Sequence, residues 1–409
     1  MSELIFESQK RFRIWKDNDG AVPLLTFIDR LSPKTVQSKH LNSFCIKHQA
    51  SRRLALRLLM PSCIDLEPLL PRNRPATSQD NYFWQYPAIT ERLALDNHKE
   101  TSGTDLLLTS RSSVDSYIGL PWATFIDKKT TPRLVRQVFR TRILGYQRLA
   151  EEWGMRWGED VLVHTVCQHV NWDRMLVLWK AMGITDAHLS HCESSSEGIA
   201  SNYGIKVHSW SLAAANIVNN SRAEEIAFRK LEDKKYLASF IGSYLYNHRS
   251  NVRIRLRDEA NRDGGTDILV HLNREWHFNS VVYQEQIEGS PLNERQLSTD
   301  HLLTKKYNRL LSNSIFSLCP EGAGPNTIRL WESLAAGSIP VVIVEDWIWP
   351  PIPRRDLSWR DCVVRVSRCQ IRGLFDRLRQ MKATQEEKLV KMQLNGRRVY
   401  ESFCQMSCF

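Results

Sequence analysis

Between residues 104 and 192, short uncharged runs alternate with stretches whose apolar side chains recur every three or four positions. "TDLLLTS", "WATFID", "VLVHTVC" and "DAHLSHC" are runs of the first kind and predict buried strands. "PRLVRQVFRTRILGYQRLAEEW" and "NWDRMLVLWKAMG" carry the helical period, and Gly183 stands where the second helix needs a left-handed C′ residue. Strand, helix and strand in succession predict a parallel sheet with helices on its faces. The same rhythm restarts at "KKYLASFIGS" and runs through "NVRIRLRDEANRDG" and "YNRLLSNSIFSLCP" to "SIPVVIV". Within this second series, Gly264 to Asp300 is polar and irregular, which predicts long loops around one or two short strands. Beyond Pro353 the pattern is helical and rich in Lys and Arg, while the Pro-rich "LEPLLPRNRPATSQDN" has the look of a linker. The expected organisation is an N-terminal extension without assigned function (1–75), a first α/β domain (76–230), a second (231–365) and C-terminal helices (366–409).

Composition narrows the class. With 42% hydrophobic and 25% charged residues in 409, the chain is an ordinary globular protein, long enough for two cores. A net charge of +11 favours an anionic partner. The nine cysteines are scattered, with no CxxC pair, so a disulfide framework is not expected and reduced thiols in a cytoplasmic chain are. The opening "MSELIFESQKRFRIWKDNDG" interrupts its apolar residues with charge, as no secretory signal would, and no stretch approaches the roughly twenty apolar residues of a membrane span. "CQMSCF" is not a prenylation box. The basic C-terminal helices leave peripheral contact with an anionic membrane surface open.

The chemistry concentrates in "NSIFSLCPEGAGPNTIRLWESLAAGSIPVVIVEDWIWPP", Asn313 to Pro351. A buried strand meets a glycine loop; Gly322 and Gly324 allow close approach, and Asn326 or Thr327 can cap the helix that follows. Ile328, Trp331, Leu334 and Ala335 form its core stripe, with Arg329 and Glu332 on another face. The free N–H groups of such a helix suit an anion, typically a phosphate, and Glu332 is placed to accept from vicinal hydroxyls. An equally simple reading pairs Glu332 with Arg329. No GK[ST] follows, so this is not a P-loop. At the preceding strand–helix junction, Arg249, Arg253 and Arg257 form a basic stripe that could neutralise a diphosphate.

These residues resemble a family. Strand, C-P-x-G, R-L-x-E-x-L and small-G-x-I-P-V-V, preceded by the F-x-G…R-x-x-R-x-x-L element in "FIGSYLYNHRSNVRIRL", look like the donor-binding half of exostosin-like (GT47-like) glycosyltransferases over residues 234–360. "YIGLPWATFID" and the stretch from Val161 to Cys192 look like matching pieces of the other half. The resemblance implies a GT-B fold, two Rossmann-like domains facing a cleft, and a nucleotide-sugar donor as substrate. It places Glu332 on the ribose. Arg249, Arg253 and the loop from Gly322 to Thr327 go to the diphosphate, with Arg329 beside them. No metal or cofactor is expected, since helix termini and arginines neutralise the leaving group.

The acceptor would be a glycan or glycolipid, and its hydroxyl needs a general base. Asp127, His169 and His191, each at a strand end, are the candidates, with Glu193 close to the last. His164, Cys167, His169, His188, His191 and Cys192 match no zinc-ligand spacing. Two other readings stay open: a fucosyltransferase-like GT-B enzyme, and a nucleotide- or nucleic-acid-binding protein without transfer activity. No RRM, KH or helix-turn-helix signature favours nucleic acid.

Overall fold

The computed structural model describes residues 83–101, 113–129, 133–213, 216, 227–276 and 278–404, with residues 53, 56, 57, 60 and 62–65 ahead of them. The chain divides into two compact units, Met1–Ala55 and Leu56–Phe409, and every element named here belongs to the second.

The uncharged runs become the middle strands of two parallel sheets. In the first, β1 (Cys63–Asp65), β2 (Val114–Gly119), β3 (Val161–Cys167), β4 (Asp186–Leu189) and β5 (Lys206–Ser209) lie side by side in chain order. Their connections carry α1 (Thr90–Thr101), α2 (Trp122–Lys128), α3 (Arg133–Glu152), a 3₁₀ turn (Trp172–Met175) leading into α4 (Leu176–Ala181), and α5 (Ser196–Ser201). Met182 closes α4 and Gly183 follows at φ 69°, as the pattern predicts.

The second sheet holds β6 (Tyr236–Ser243), β7 (Ile268–Asn273), β8 (Ser314–Pro320), β9 (Ile339–Ile343) and β10 (Val364–Val366) in the order β10-β9-β8-β6-β7, again all parallel. Its helices are α6 (Val252–Asp263), α7 (Glu294–Ser312), α8 (Ile328–Ala336), α9 (Leu374–Thr384) and α10 (Glu386–Cys404). Every residue of β8 and β9 is buried, as in a parallel sheet covered on both faces. The result is the expected α/β architecture of two parallel sheets with helices.

Several local expectations are corrected. "WATFID" is the buried helix α2, not a strand: β2 ends at Gly119, and Pro121 sets the turn into a seven-residue helix whose Trp122–Ile126 segment is wholly buried. A short run that is apolar all round gives no period from which to choose. "TDLLLTS" lies outside the described residues. Gly264–Asp300 contains β7, a π-helix (Ser280–Ile287) and the first turn of α7, where Asn293 and Gln296 cap each other reciprocally at 3.0 Å. The strand Cys63–Asp65, inside the stretch read as an extension, pairs with β2.

Chain order determines where a ligand can enter. In the second sheet the connections diverge between β6 and β8, and the crevice at the carboxyl ends of those strands is the switch point of such a sheet. Beyond β6 lies the loop of Arg249; beyond β8 lies the glycine loop. No described helix is long and apolar enough to cross a membrane.

Candidate functional site

Loops from the carboxyl ends of β3 and β4 meet loops from the carboxyl ends of β6 and β8. Asn326 Nδ2 donates to the Ser190 carbonyl at 3.0 Å, and Ser194 donates through its N–H and hydroxyl to Asp346 at 3.0 and 2.8 Å. Arg249 makes an ion pair with Glu193. These contacts enclose a cleft of about 180 Å³ lined by Val170, Trp172, His191, Glu193, Arg249 and Gly324, among others. That is less than the roughly 300–1,000 Å³ of most small-molecule sites.

Gly324 is required by the close approach of the two sides. A Cβ there would stand 2.3 Å from His191 Nδ1 and 2.7 Å from Val170 Cγ1. His191 is correspondingly buried, its Nδ1 has no hydrogen-bond partner among the described residues, and burial with nearby His169 and Arg249 pushes its pKa down to about 3. It is a neutral imidazole at the wall of the cleft. Gly322 has a similar steric role: its Cβ would meet Arg253 Nη2 at 2.7 Å.

Asp127 and His169 converge although α2 replaces the expected strand. His169 Nε2 is 3.1 Å from Asp127 Oδ1, and the Asn171 N–H donates to His169 Nδ1 at 3.0 Å. The second bond fixes the tautomer, since a nitrogen that accepts leaves the proton on the other, facing Asp127. The Gln85 amide donates to Asp127 Oδ2. Burial by itself would raise the Asp127 carboxyl; the hydrogen bond and charge of His169, with Gln85 and Arg174, outweigh it and hold it below the ordinary value. Asp127 is therefore ionised at neutral pH, with both oxygens engaged by donors that leave lone pairs free. The loop that carries His169 also supplies Val170, Trp172 and Asp173 to the cleft.

The expected donor residues separate into two groups. Arg249 and Gly324 line the cleft; Thr327 is the N-cap of α8 without a side-chain bond. The others serve as framework. Arg253 donates to the carbonyls of Glu321 at 3.0 Å and Ser243 at 2.7 Å; burial, then the charge of Arg329, brings its pKa down to about 9, so it stays cationic. Arg329 donates to the Ile241 carbonyl and stacks between the rings of Phe240 and Tyr307. Asn326 is spent on Ser190 and on the Trp331 indole.

Glu332, expected on a ribose, is a correction: it is 4% exposed. Its oxygens accept from Asn216 at 3.1 Å and from the Tyr307 hydroxyl, whose phenol burial holds protonated. The physical reason is that α8 is covered on both sides, so a face opposite the apolar stripe is still interior.

Pattern reading missed Glu321, Arg368 and Glu91. Glu321, 1% exposed, is met by Ser250 and Arg368 at 2.5 Å and by Arg249 at 3.8 Å. The "E" of "CPEG" was visible, but Arg368 opens a 3₁₀ turn (Arg368–Ile371) after β10 and no spacing links them. Among the described residues no group of three or more His, Cys, Asp or Glu could hold a metal ion.

Comparison with known proteins places this geometry. The model of the Exostosin GT47 domain matches residues 125–381. The Exostosin-1 homolog of Caenorhabditis elegans is 26% identical over 187 residues, 46% of this chain and 45% of that protein. Ribitol-5-phosphate xylosyltransferase 1 of Danio rerio is 28% identical over 119 residues, 29% of this chain and 22% of that protein. A probable glucuronosyltransferase of Oryza sativa subsp. japonica is 41% identical over 66 residues, 16% of this chain and 15% of its own. The chain thus spans less than half the length of each of these relatives. Among solved structures, the pneumococcal O-GlcNAc transferase GtfA in complex with UDP and GlcNAc aligns at TM-score 0.32 and 11% identity over 66% of this chain and 56% of that one. Spinosyn rhamnosyltransferase SpnG aligns at TM-score 0.30 and 11% identity over 76% and 86%. At that level no correspondence of residues follows.

Proposed function

Because the chain belongs to the exostosin GT47 family, we propose that it is a glycosyltransferase moving a sugar from a nucleotide-sugar donor to a hydroxyl of a glycan or glycolipid. The donor diphosphate lies at the switch point of the second sheet, against Arg249 and the N-terminal N–H groups of α6. The acceptor lies against the loops of the first sheet. The observation that carries this reading is a cleft lined by Arg249 and by Val170, Trp172 and Asp173, the last three from the loop whose His169 is bonded to the ionised Asp127 of α2.

In the transfer, the acceptor oxygen bonds to the anomeric carbon while the bond from that carbon to the phosphate oxygen breaks. The electron pair leaves on the phosphate, where Arg249 neutralises it, and the hydroxyl proton passes to Asp127. Arginine and helix dipole supply the charge stabilisation, and the scheme uses no metal ion. The free state of the described cysteines supports a reducing, cytoplasmic setting, and the Lys and Arg content of α9 and α10 is the support for a peripheral contact with an anionic membrane.

A thermal-shift panel of nucleoside diphosphates tests the donor half: at least one raises the melting temperature, and Arg249→Ala abolishes the rise. Transfer from labelled UDP-, GDP- and dTDP-sugars, with and without EDTA, tests the chemistry. Asp127→Asn lowers kcat by about 10²–10⁴-fold while leaving the nucleotide shift intact. Silence across the whole nucleotide panel overturns the proposal.

A further inference from the structure

Glu91 opens the first turn of α1 and is 2% exposed. Its carboxylate accepts from main-chain groups of two other segments. Oε1 takes the Gln168 N–H at 3.1 Å and the Ala123 N–H at 3.2 Å, and Oε2 takes the Ala123 N–H at 3.3 Å. Ala123 lies in the first turn of α2, whose far end carries Asp127. Gln168 immediately precedes His169.

The link is made more than once. The Glu91 N–H donates back to Gln168 Oε1 at 3.2 Å, and Gln168 Nε2 donates to the carbonyls of Ala88 at 2.7 Å and Gln85 at 3.3 Å. Gln85 in turn donates its amide to Asp127. A closed circuit therefore runs from Glu91 to Gln168, to Gln85, to Asp127, to His169 and back through the main chain. Asp127 and His169 are 42 residues apart, and no strand pairing holds α2 to the loop after β3. Besides the Trp122 indole, which donates to Thr165 Oγ1 of β3 at 2.7 Å, it is the Glu91 carboxyl that stands between the two main chains and bonds to both.

We propose that Glu91 is the positioning residue of this site, fixing α2 and the loop after β3 so that Asp127 stays bonded to His169. The proposal rests on the reading of Asp127 as the base. A carboxyl withdrawn this far from water is costly unless its oxygens are satisfied. Burial pushes Glu91 up to about 8, while the N–H groups of Gln168 and Ala123 and the Cys167 thiol pull the other way. Glutamine can keep the two shorter bonds, because one oxygen makes both, and gives up only the 3.3 Å contact of Oε2. Aspartate keeps the carboxyl group but falls short by one methylene, so it pulls the two segments together or lets go of one.

The test compares Glu91→Asp and Glu91→Gln in the full chain. Carboxyl ¹³C titration of labelled aspartate reads Asp127, identified by its loss in Asp127→Asn. The expected result is an Asp127 midpoint that rises by about one pH unit in Glu91→Asp, as the His169 bond lengthens, and returns to the native value in Glu91→Gln. The acid limb of the pH–rate profile of sugar transfer moves with it. An Asp127 titration identical in all three proteins overturns the inference. A midpoint that moves while Asp127→Asn transfers sugar at the native rate supports Glu91 as positioning residue and overturns Asp127 as base.

Discussion

Gly324 shows how a residue that reads as a ligand-binding glycine is fixed by protein instead. The loop "PEGAGP" suggests backbone opened to a phosphate, but the space above Gly324 is taken by His191 and Val170 from the other sheet. Gly324→Ala should therefore cost about 1–3 kcal/mol, the usual penalty of overpacking. Urea denaturation measures it, and an unchanged midpoint would show that the two loops can separate freely. Glu332 teaches the complementary lesson. Its place in "RLWESL" was plain, yet Asn216 and Tyr307, 116 and 25 residues away, decide what its carboxylate does. Asp127 fared better than its surroundings: the residue was picked from a wrongly assigned strand, and the helix that replaced it still delivers the carboxylate to His169.

Elements with a strong period were legible and short, uniformly apolar ones were not. α3, α8 and the strands β3, β8 and β9 lie where the pattern puts them, because length or total burial leaves one solution. α2 is seven residues long and buried all round, and β5 is a four-residue edge with exposed Lys206 and His208, so neither carries a diagnostic rhythm. The loops after β4 and β6 belong together only in space, where Glu193 and Arg249 pair at side-chain exposures of 23% and 27%. That pair occupies the one arginine of the predicted donor set that lines the cleft. Removing its charge with Glu193→Gln should tighten nucleoside diphosphate binding about three- to tenfold, equivalent to ~0.7–1.4 kcal/mol for a partly exposed ion pair. Isothermal titration with UDP and GDP measures this; equal or weaker affinity would mean that Arg249 does not serve the phosphates.

Taken across the molecule, the buried imidazoles set a pH limit. Burial brings His98 down to about 4 and His191 to about 3, and lowers His188 as well. Each is neutral in the fold and charges more readily once unfolded, so the stability it contributes is complete above its unfolded value near 6.5 and is lost as pH falls toward the folded one. Glu91 acts in the opposite sense: its folded pKa of about 8 lies above the unfolded 4.5, so its contribution is complete below 4.5 and is lost as pH rises to 8. Between pH 6.5 and 4.5 three imidazoles outweigh one carboxyl, and stability should fall on acidification by on the order of 1–3 kcal/mol per pH unit. Melting temperatures at pH 7, 6 and 5 check the direction. A flat profile would mean that these rings take up protons in the fold as readily as in the unfolded chain.

Hydrophobic rhythm was enough to settle the α/β class and the two parallel sheets, because burial on both faces and the geometry of a strand–loop–helix turn are local demands written into neighbouring residues, while the family entered through the resemblance of two motifs within residues 234–360. Which polar side chains face ligand and which face protein is not a local matter. It depends on what another sheet or helix brings opposite them, as His191 is brought to Gly324, Tyr307 to Glu332 and Glu91 to the segments of Asp127 and His169. Those partners lie tens to more than a hundred residues apart in the chain, and their meeting follows from packing alone.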